Sequence, residues 1–188
     1  MAVAARRDTR MTVAQFRPWA EPRPDEERWE LIDGIPLLMS PPTARHQRIV
    51  SNLIRRLDEL AERRGCNALP GLGVLSAAMD DFAPIPDIVV TCGPLGQDGY
   101  TSDPLLVAEV LSPSTMSLDR GRKTDFYRSV PSLRTFLIVS QDEVRVEAWR
   151  RTEAGSWTVQ ALYRDDSLDL PELGGAVPVG ALYTGLPL

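Results

Sequence analysis

Residues 105–111 read Leu105-Leu106-Val107-Ala108-Glu109-Val110-Leu111, and upstream of them Pro86-Asp87 opens a second apolar run, Ile88-Val89-Val90. The first run is apolar on both faces except at Glu109, the pattern of a central strand covered on both sides. Side chains alternate along a strand. Leu105, Val107 and Leu111 therefore share the Glu109 face, and Leu106, Ala108 and Val110 line the other. A buried carboxylate without a partner is costly, so Glu109 must be paired, protonated or bound to metal. The plain alternative is a buried ion pair with an arginine.

Asp87 stands 22 positions before Glu109, at the start of its own short strand. An aspartate behind a proline is also an ordinary turn residue. Adjacent strands lie about 4.8 Å apart, so the two carboxylates meet if their strands are neighbours. Two close acids repel unless a cation sits between them. Oxygen-only ligation with open water positions suits Mg2+ or Mn2+.

Of the 21 lysine and arginine residues, only Lys123 is a lysine. A sequence that writes arginine elsewhere keeps lysine where arginine's permanent charge does not serve. Phe126, Tyr127 and Val130 follow Lys123 at helical spacing, so it shares the inward stripe of a helix. Its ammonium can lose a proton beside a metal, which a guanidinium does not, and so can position or deprotonate a water. The alternative is a lysine snorkelling from an apolar face.

Further out, Trp29–Ile32 and Ile35–Met39 flank Asp33-Gly34, a two-residue hairpin signal. A long helix is expected over Ala44–Arg64, with Ile49, Leu53, Leu57 and Leu60 on one face and Gly65 as its stop. Strands are expected near Asn67–Leu69 and Gly73–Ala77, with a loop over 91–104. The central strand ends at Ser112-Pro113-Ser114-Thr115. A second helix follows over Leu118–Val130, then strands over Thr135–Ser140, Val144–Arg150 and Trp157–Tyr163, and short strand-like pieces in the tail. The fold class is α/β (α+β): a mixed sheet flanked by few helices, with an N-terminal hairpin and C-terminal strands.

Glu30, in the first hairpin strand, is a candidate third acid on the metal side, or a solvent-facing hairpin residue. His46, the only histidine, leans toward the buried face of the long helix. It reads either as a capping or core group or as a contact to phosphate or the attacking water. Arg45, Arg48, Arg55, Arg56, Arg63 and Arg64 make that helix basic, and Arg120 and Arg122 flank Lys123. They are either a solvated surface or phosphate contacts.

The 188-residue length suits one domain over 12–188 behind a flexible leader at 1–11. Residues 17–28, rich in proline and charge, read as an exposed arm, and Thr12 as the N-cap of a short turn through Phe16. The formal net charge of −5 excludes a general coat for nucleic acid and leaves only a local binding site. No run reaches the roughly 20 apolar residues of a membrane span. Cys66 and Cys92, in no CxxC pair and away from the histidine, read as reduced thiols of a cytoplasmic protein.

With these residues in view the chain resembles the PD-(D/E)XK nuclease superfamily. The segments are Pro86-Asp87, Val107 to Ser114 around Glu109, and Asp119 to Tyr127. Together with Trp29-Glu30-Leu31-Ile32-Asp33-Gly34 and His46, they look like the bacterial Uma-two family of restriction endonucleases. The likeness spans about residues 12–185. It implies a restriction-endonuclease-like core, often dimeric. It also implies Asp87 and Glu109 as metal ligands, Glu30 as the additional acid and Lys123 as the catalytic lysine. One departure stands out: Leu111 occupies the position two after Glu109, where the superfamily places its lysine. The expected function is metal-dependent hydrolysis of DNA phosphodiesters, with His46 at the edge of the site. The alternative is an inactive module of the same fold that binds nucleic acid or a protein.

Overall fold

The computed structural model of the chain describes residues 10–24, 26–111 and 119–188. The expected leader up to residue 9, the terminator at 112–115 and the first residue of the second helix, Leu118, lie outside the described residues, as does the side chain of Arg120.

The hairpin forms as its turn residues dictate. β1 (Trp29–Ile32) pairs antiparallel with β2 (Ile35–Leu38). Asp33 and Gly34 between them both have positive φ, 55° and 72°, as a type I′ turn requires. α2 (Ala44–Ala61) begins at the N-cap Thr43 and runs into a 3-10 turn at Glu62–Arg64. Gly65 then closes it in the left-handed conformation.

Six strands make the main sheet: β3 (Asn67–Pro70), β5 (Ile88–Thr91), β7 (Pro104–Leu111), β8 (Thr135–Ser140), β9 (Arg145–Arg151) and β10 (Trp157–Tyr163). Their spatial order is β10-β9-β8-β7-β5-β3, so β7 is central as its composition predicted. β7 and β8 are parallel and all other pairs antiparallel. A parallel pair needs a crossover, and α3 (Asp119–Ser129) lies within it.

The two sheet faces take different covers. Ile49, Leu53, Leu57 and Leu60 of α2 pack on Ile88, Val90, Leu106, Ala108 and Val110. The C-terminal hairpin β11 (Ser167–Leu170) and β12 (Gly175–Pro178), and the 3-10 turn Val179–Tyr183, close the same layer. On the opposite face Phe126, Tyr127 and Val130 of α3 pack on Val89, Val107, Leu111 and Phe136, with Ile32 from β1.

Three local expectations are corrected. First, residues 17–20 of the expected exposed arm are helical. α1 (Val13–Ala20) continues past the expected end at Phe16 despite Pro18, because Phe16 is fully buried and Trp19 packs edge-on against Trp29 at 5.1 Å. Second, the loop over 91–104 contains β6 (Tyr100–Thr101), which pairs in parallel with β4 (Gly73–Val74). Third, Cys66 and Cys92 are joined as a disulfide rather than held as free thiols. β3 pairs with β5 so that Asn67 faces Thr91, which sets the two flanking cysteines side by side. The thiol argument for a reducing compartment therefore falls away. Among the described residues no helix is long and apolar enough to cross a membrane.

Candidate active site

β5 and β7 are neighbours, with Ile88 opposite Ala108, so Asp87 lies across from Glu109 on the α3 side of the sheet. The main chain of one strand holds the acid of the other: the Val110 N–H donates to Asp87 Oδ2 at 2.7 Å. From the other layer, His46 in the first turn of α2 places Nε2 3.2 Å from the same oxygen. His46 Nδ1 is buried and finds no hydrogen-bond partner among the described residues.

Glu109 is 8% exposed and Glu30 and Lys123 are each 7% exposed. Lys123 Nζ stands 3.0 Å from Glu30 Oε2 and 3.4 Å from Glu109 Oε1. The Ile85 N–H also donates to Glu30 Oε2, at 3.4 Å. Glu30 follows the β1 alternation that turns Ile32 toward α3, and it is not the solvent-facing hairpin residue of the alternative reading. Leu111 is buried in the apolar layer beneath α3. The helix thus supplies the ammonium that the strand position two beyond Glu109 does not.

The Tyr127 hydroxyl, to which the residue pattern assigns no role, donates to Glu109 Oε1 at 2.6 Å. Tyr127 read only as one member of an apolar stripe. The available signal was chemical: a buried tyrosine hydroxyl needs a partner, and it shares a helix face with Lys123.

Burial pushes the Glu109 carboxyl up to about 7, and the charges of Asp87 and Glu30 add to the shift. Lys123 and the Tyr127 hydrogen bond pull the other way without cancelling it. Burial also pushes the Tyr127 phenol well up, reinforced by Glu109. For His46, burial disfavours the charged ring. The Asp87 hydrogen bond and the charges of Asp87 and Glu109 outweigh it and leave the pKa above 6.5.

Two carboxylates, Glu30 and Glu109, thus face Lys123, and Asp87 lies across the strand pair from Glu109. Asp87 Oδ1 and Glu109 Oε2 take no hydrogen bond among the described residues. These two open carboxylate oxygens are donors of the kind a hard divalent cation takes. Among the described residues no three histidine, cysteine, aspartate or glutamate side chains are drawn together tightly enough to hold a metal by themselves. Lys123 stands between Glu30 and Glu109, so the carboxylates do not converge on one point.

The basic helix is only partly available. Arg45 pairs with Asp142 and Arg56 with Glu59, while Arg48, Arg55, Arg63 and Arg64 are exposed. Arg122 is tied to Asp33 of the hairpin turn.

The model of the Uma2 family, described as "Putative restriction endonuclease", matches residues 13–179. The chain belongs to the Uma2 family. Two Synechocystis proteins, both described as uncharacterized, are relatives. One, slr1290, is 36% identical over 103 residues, covering 54% of each chain. The other, sll1609, is 28% identical over 146 residues, covering 75% of this chain and 82% of its own length. The chain thus spans about half the length of the first relative. A crystal structure described as a "putative nuclease belonging to DUF820", from Anabaena variabilis, superimposes with a TM-score of 0.73 at 18% identity. That match covers 93% of this chain and 98% of the other, and it bears out the expected fold class, a mixed sheet flanked by helices. In this Uma2 protein β5, β7, α2, α3 and the hairpin bring Asp87, Glu109, Glu30, His46 and Lys123 into one cluster.

Proposed function

We propose that this chain is a metal-dependent nuclease that hydrolyses DNA phosphodiesters at the cluster of Asp87, Glu109, Glu30 and Lys123. The observation that carries this reading is Lys123 Nζ, which reaches Glu30 at 3.0 Å and Glu109 at 3.4 Å from a separate helix. The family's description supports it.

Asp87 and Glu109 would hold Mg2+ or Mn2+ through the oxygens that their protein partners leave open, with Glu30 at the edge of the shell. When bound, such an ion supplies a Lewis acid to the phosphate and acidifies a coordinated water. The chain's own groups do the positioning. Val110 N–H and His46 orient Asp87, and the Tyr127 hydroxyl orients Glu109. Glu30 holds Lys123, whose ammonium would face the attacking water and offset charge that builds on the phosphate. The resemblance carries a homodimer as part of this reading. The β10 edge suits that pairing, since WTVQALY has no charged residue and exposes Val159 and Tyr163.

Titration calorimetry with Mn2+ tests the metal step without activity. Binding at millimolar levels or tighter is expected for the wild type, weakened at least tenfold in Asp87→Asn. An absence of Mn2+ binding would favour the inactive module of the same fold.

A further inference from the structure

A cleft of about 820 Å³ opens on the Trp29 side of β1, between α1, residues 21–24 and 27–28, and the segment Asp98–Tyr100. Two of its lining residues touch the surroundings of the candidate site. Ile85 lines it while its N–H donates to Glu30. Arg28 also lines it, and its guanidinium lies so close over Gly71 that a Cβ there would collide with it. The Gly71 N–H in turn donates to the main-chain carbonyl of Asp87 at 3.3 Å. Arg28 therefore lines the cleft and packs on Gly71, whose N–H holds the main chain at Asp87.

The charges in the cleft are not equivalent. Arg17 is committed to Asp98 at 2.8 Å, and Arg23 approaches Glu27 at 3.9 Å. Arg28 pairs with no acid among the described residues, although its main chain is fixed by the Met39 N–H. Arg23 is flattened on an aromatic pair, 3.5 Å from the Trp19 ring centroid and 4.9 Å from that of Trp29. Its Nε is buried without a hydrogen-bond partner among the described residues. Tyr100 is held between Arg17 and Gly73 and forms a wall rather than an open face.

We infer that this cleft takes an unpaired stretch of the strand being cut, a phosphate on Arg28 and a base against the Arg23–Trp29 stack; the inference rests on the nuclease reading for its substrate. The volume lies within the ~300–1,000 Å³ range of sites that enclose a small ligand. It holds nucleotides, not a double helix. Arginine planes and aromatic rings are the surfaces on which splayed bases stack, and a free guanidinium is the natural phosphate ligand.

The test is fluorescence anisotropy of a labelled oligothymidylate and of a blunt duplex of equal length, in EDTA so that nothing is cut. Wild type is expected to bind the single strand more tightly than the duplex. Arg28→Ala should weaken single-strand binding about tenfold and flatten the salt dependence by about 0.7 in log–log slope, the value for one phosphate contact on a single strand. Arg28→Lys should restore most of both. Unchanged affinity and slope in Arg28→Ala, or a wild-type preference for the blunt duplex, overturns the inference. Cleavage with Mn2+ in parallel separates the two claims. A wild type that cuts while Arg28→Ala binds normally removes the cleft and keeps the nuclease. A wild type that cuts nothing but binds strands through Arg28 does the reverse.

Discussion

The Tyr127 hydroxyl donates to Glu109 Oε1 at 2.6 Å in a fully buried setting, on the same oxygen that Lys123 approaches at 3.4 Å. The pair fixes which carboxylate oxygen faces the protein and which is left for a ligand. It also holds the Glu109 proton affinity down against burial.

Tyr127→Phe should therefore raise the Glu109 pKa further and move the acid limb of any pH–activity profile to higher pH. Loss of a hydrogen bond to a charged group should also cost about 1.5–3 kcal/mol of stability. Activity measured across pH 5.5–9 and thermal melts of the variant check both. A profile that does not move would detach Tyr127 from Glu109.

Glu109 itself weakens the fold at neutral pH. Its folded pKa is raised to about 7 from 4.5, so the folded chain binds the proton more tightly than the unfolded one. Stability then falls as pH rises from about 4.5 through 7, and the full penalty remains above that range. Glu109→Gln should raise the melting temperature clearly at pH 8 and little at pH 5. An equal change at both would show that Glu109 does not titrate in this window.

His46 acts with the opposite sign. Its folded pKa is raised, so its contribution is complete below 6.5 and is lost as pH rises through the folded value. His46→Ala should destabilise the protein more at pH 6 than at pH 9. Paired melts read the difference, and a pH-independent loss would mean that the His46–Asp87 contact is not charge-assisted.

Reduction of Cys66–Cys92 opens a cross-link over a sequence separation of 26. Chain-entropy reasoning sets the loss at about 3.5 kcal/mol. Denaturant melts with and without reductant check it. A reduced protein as stable as the oxidised one would mean that the β3–β5 pairing holds without the bond.

Much of the frame was legible in the residues. Asp33-Gly34 announced the hairpin, the Ile49–Leu60 periodicity announced α2, and the unbroken apolar run around Glu109 announced the central strand. Where one strand pairs with a distant partner, local pattern carried no information. The disulfide was missed because nothing in 66–92 states that β3 lies against β5. β6 was missed because two residues show no periodicity. Trp19 and Arg23 looked like parts of an arm because their partner, Trp29, belongs to another element. The Asp87–Glu109 meeting was legible only as a condition, that their strands be neighbours, and the sheet order meets it. The sole lysine was visible by composition, but its two acid partners were not.

The most direct test is cleavage of supercoiled and single-stranded DNA by the purified protein with Mn2+, Mg2+ or EDTA, beside Lys123→Ala. Removing one partner of a buried charge cluster can cost about 3–5 kcal/mol, so folding of the variant is checked by melting, and Lys123→Arg accompanies it. We expect metal-dependent nicking by wild type that falls at least a hundredfold in both variants while they remain folded. Cleavage undiminished in folded Lys123→Ala, or none by wild type with either metal, would contradict the account.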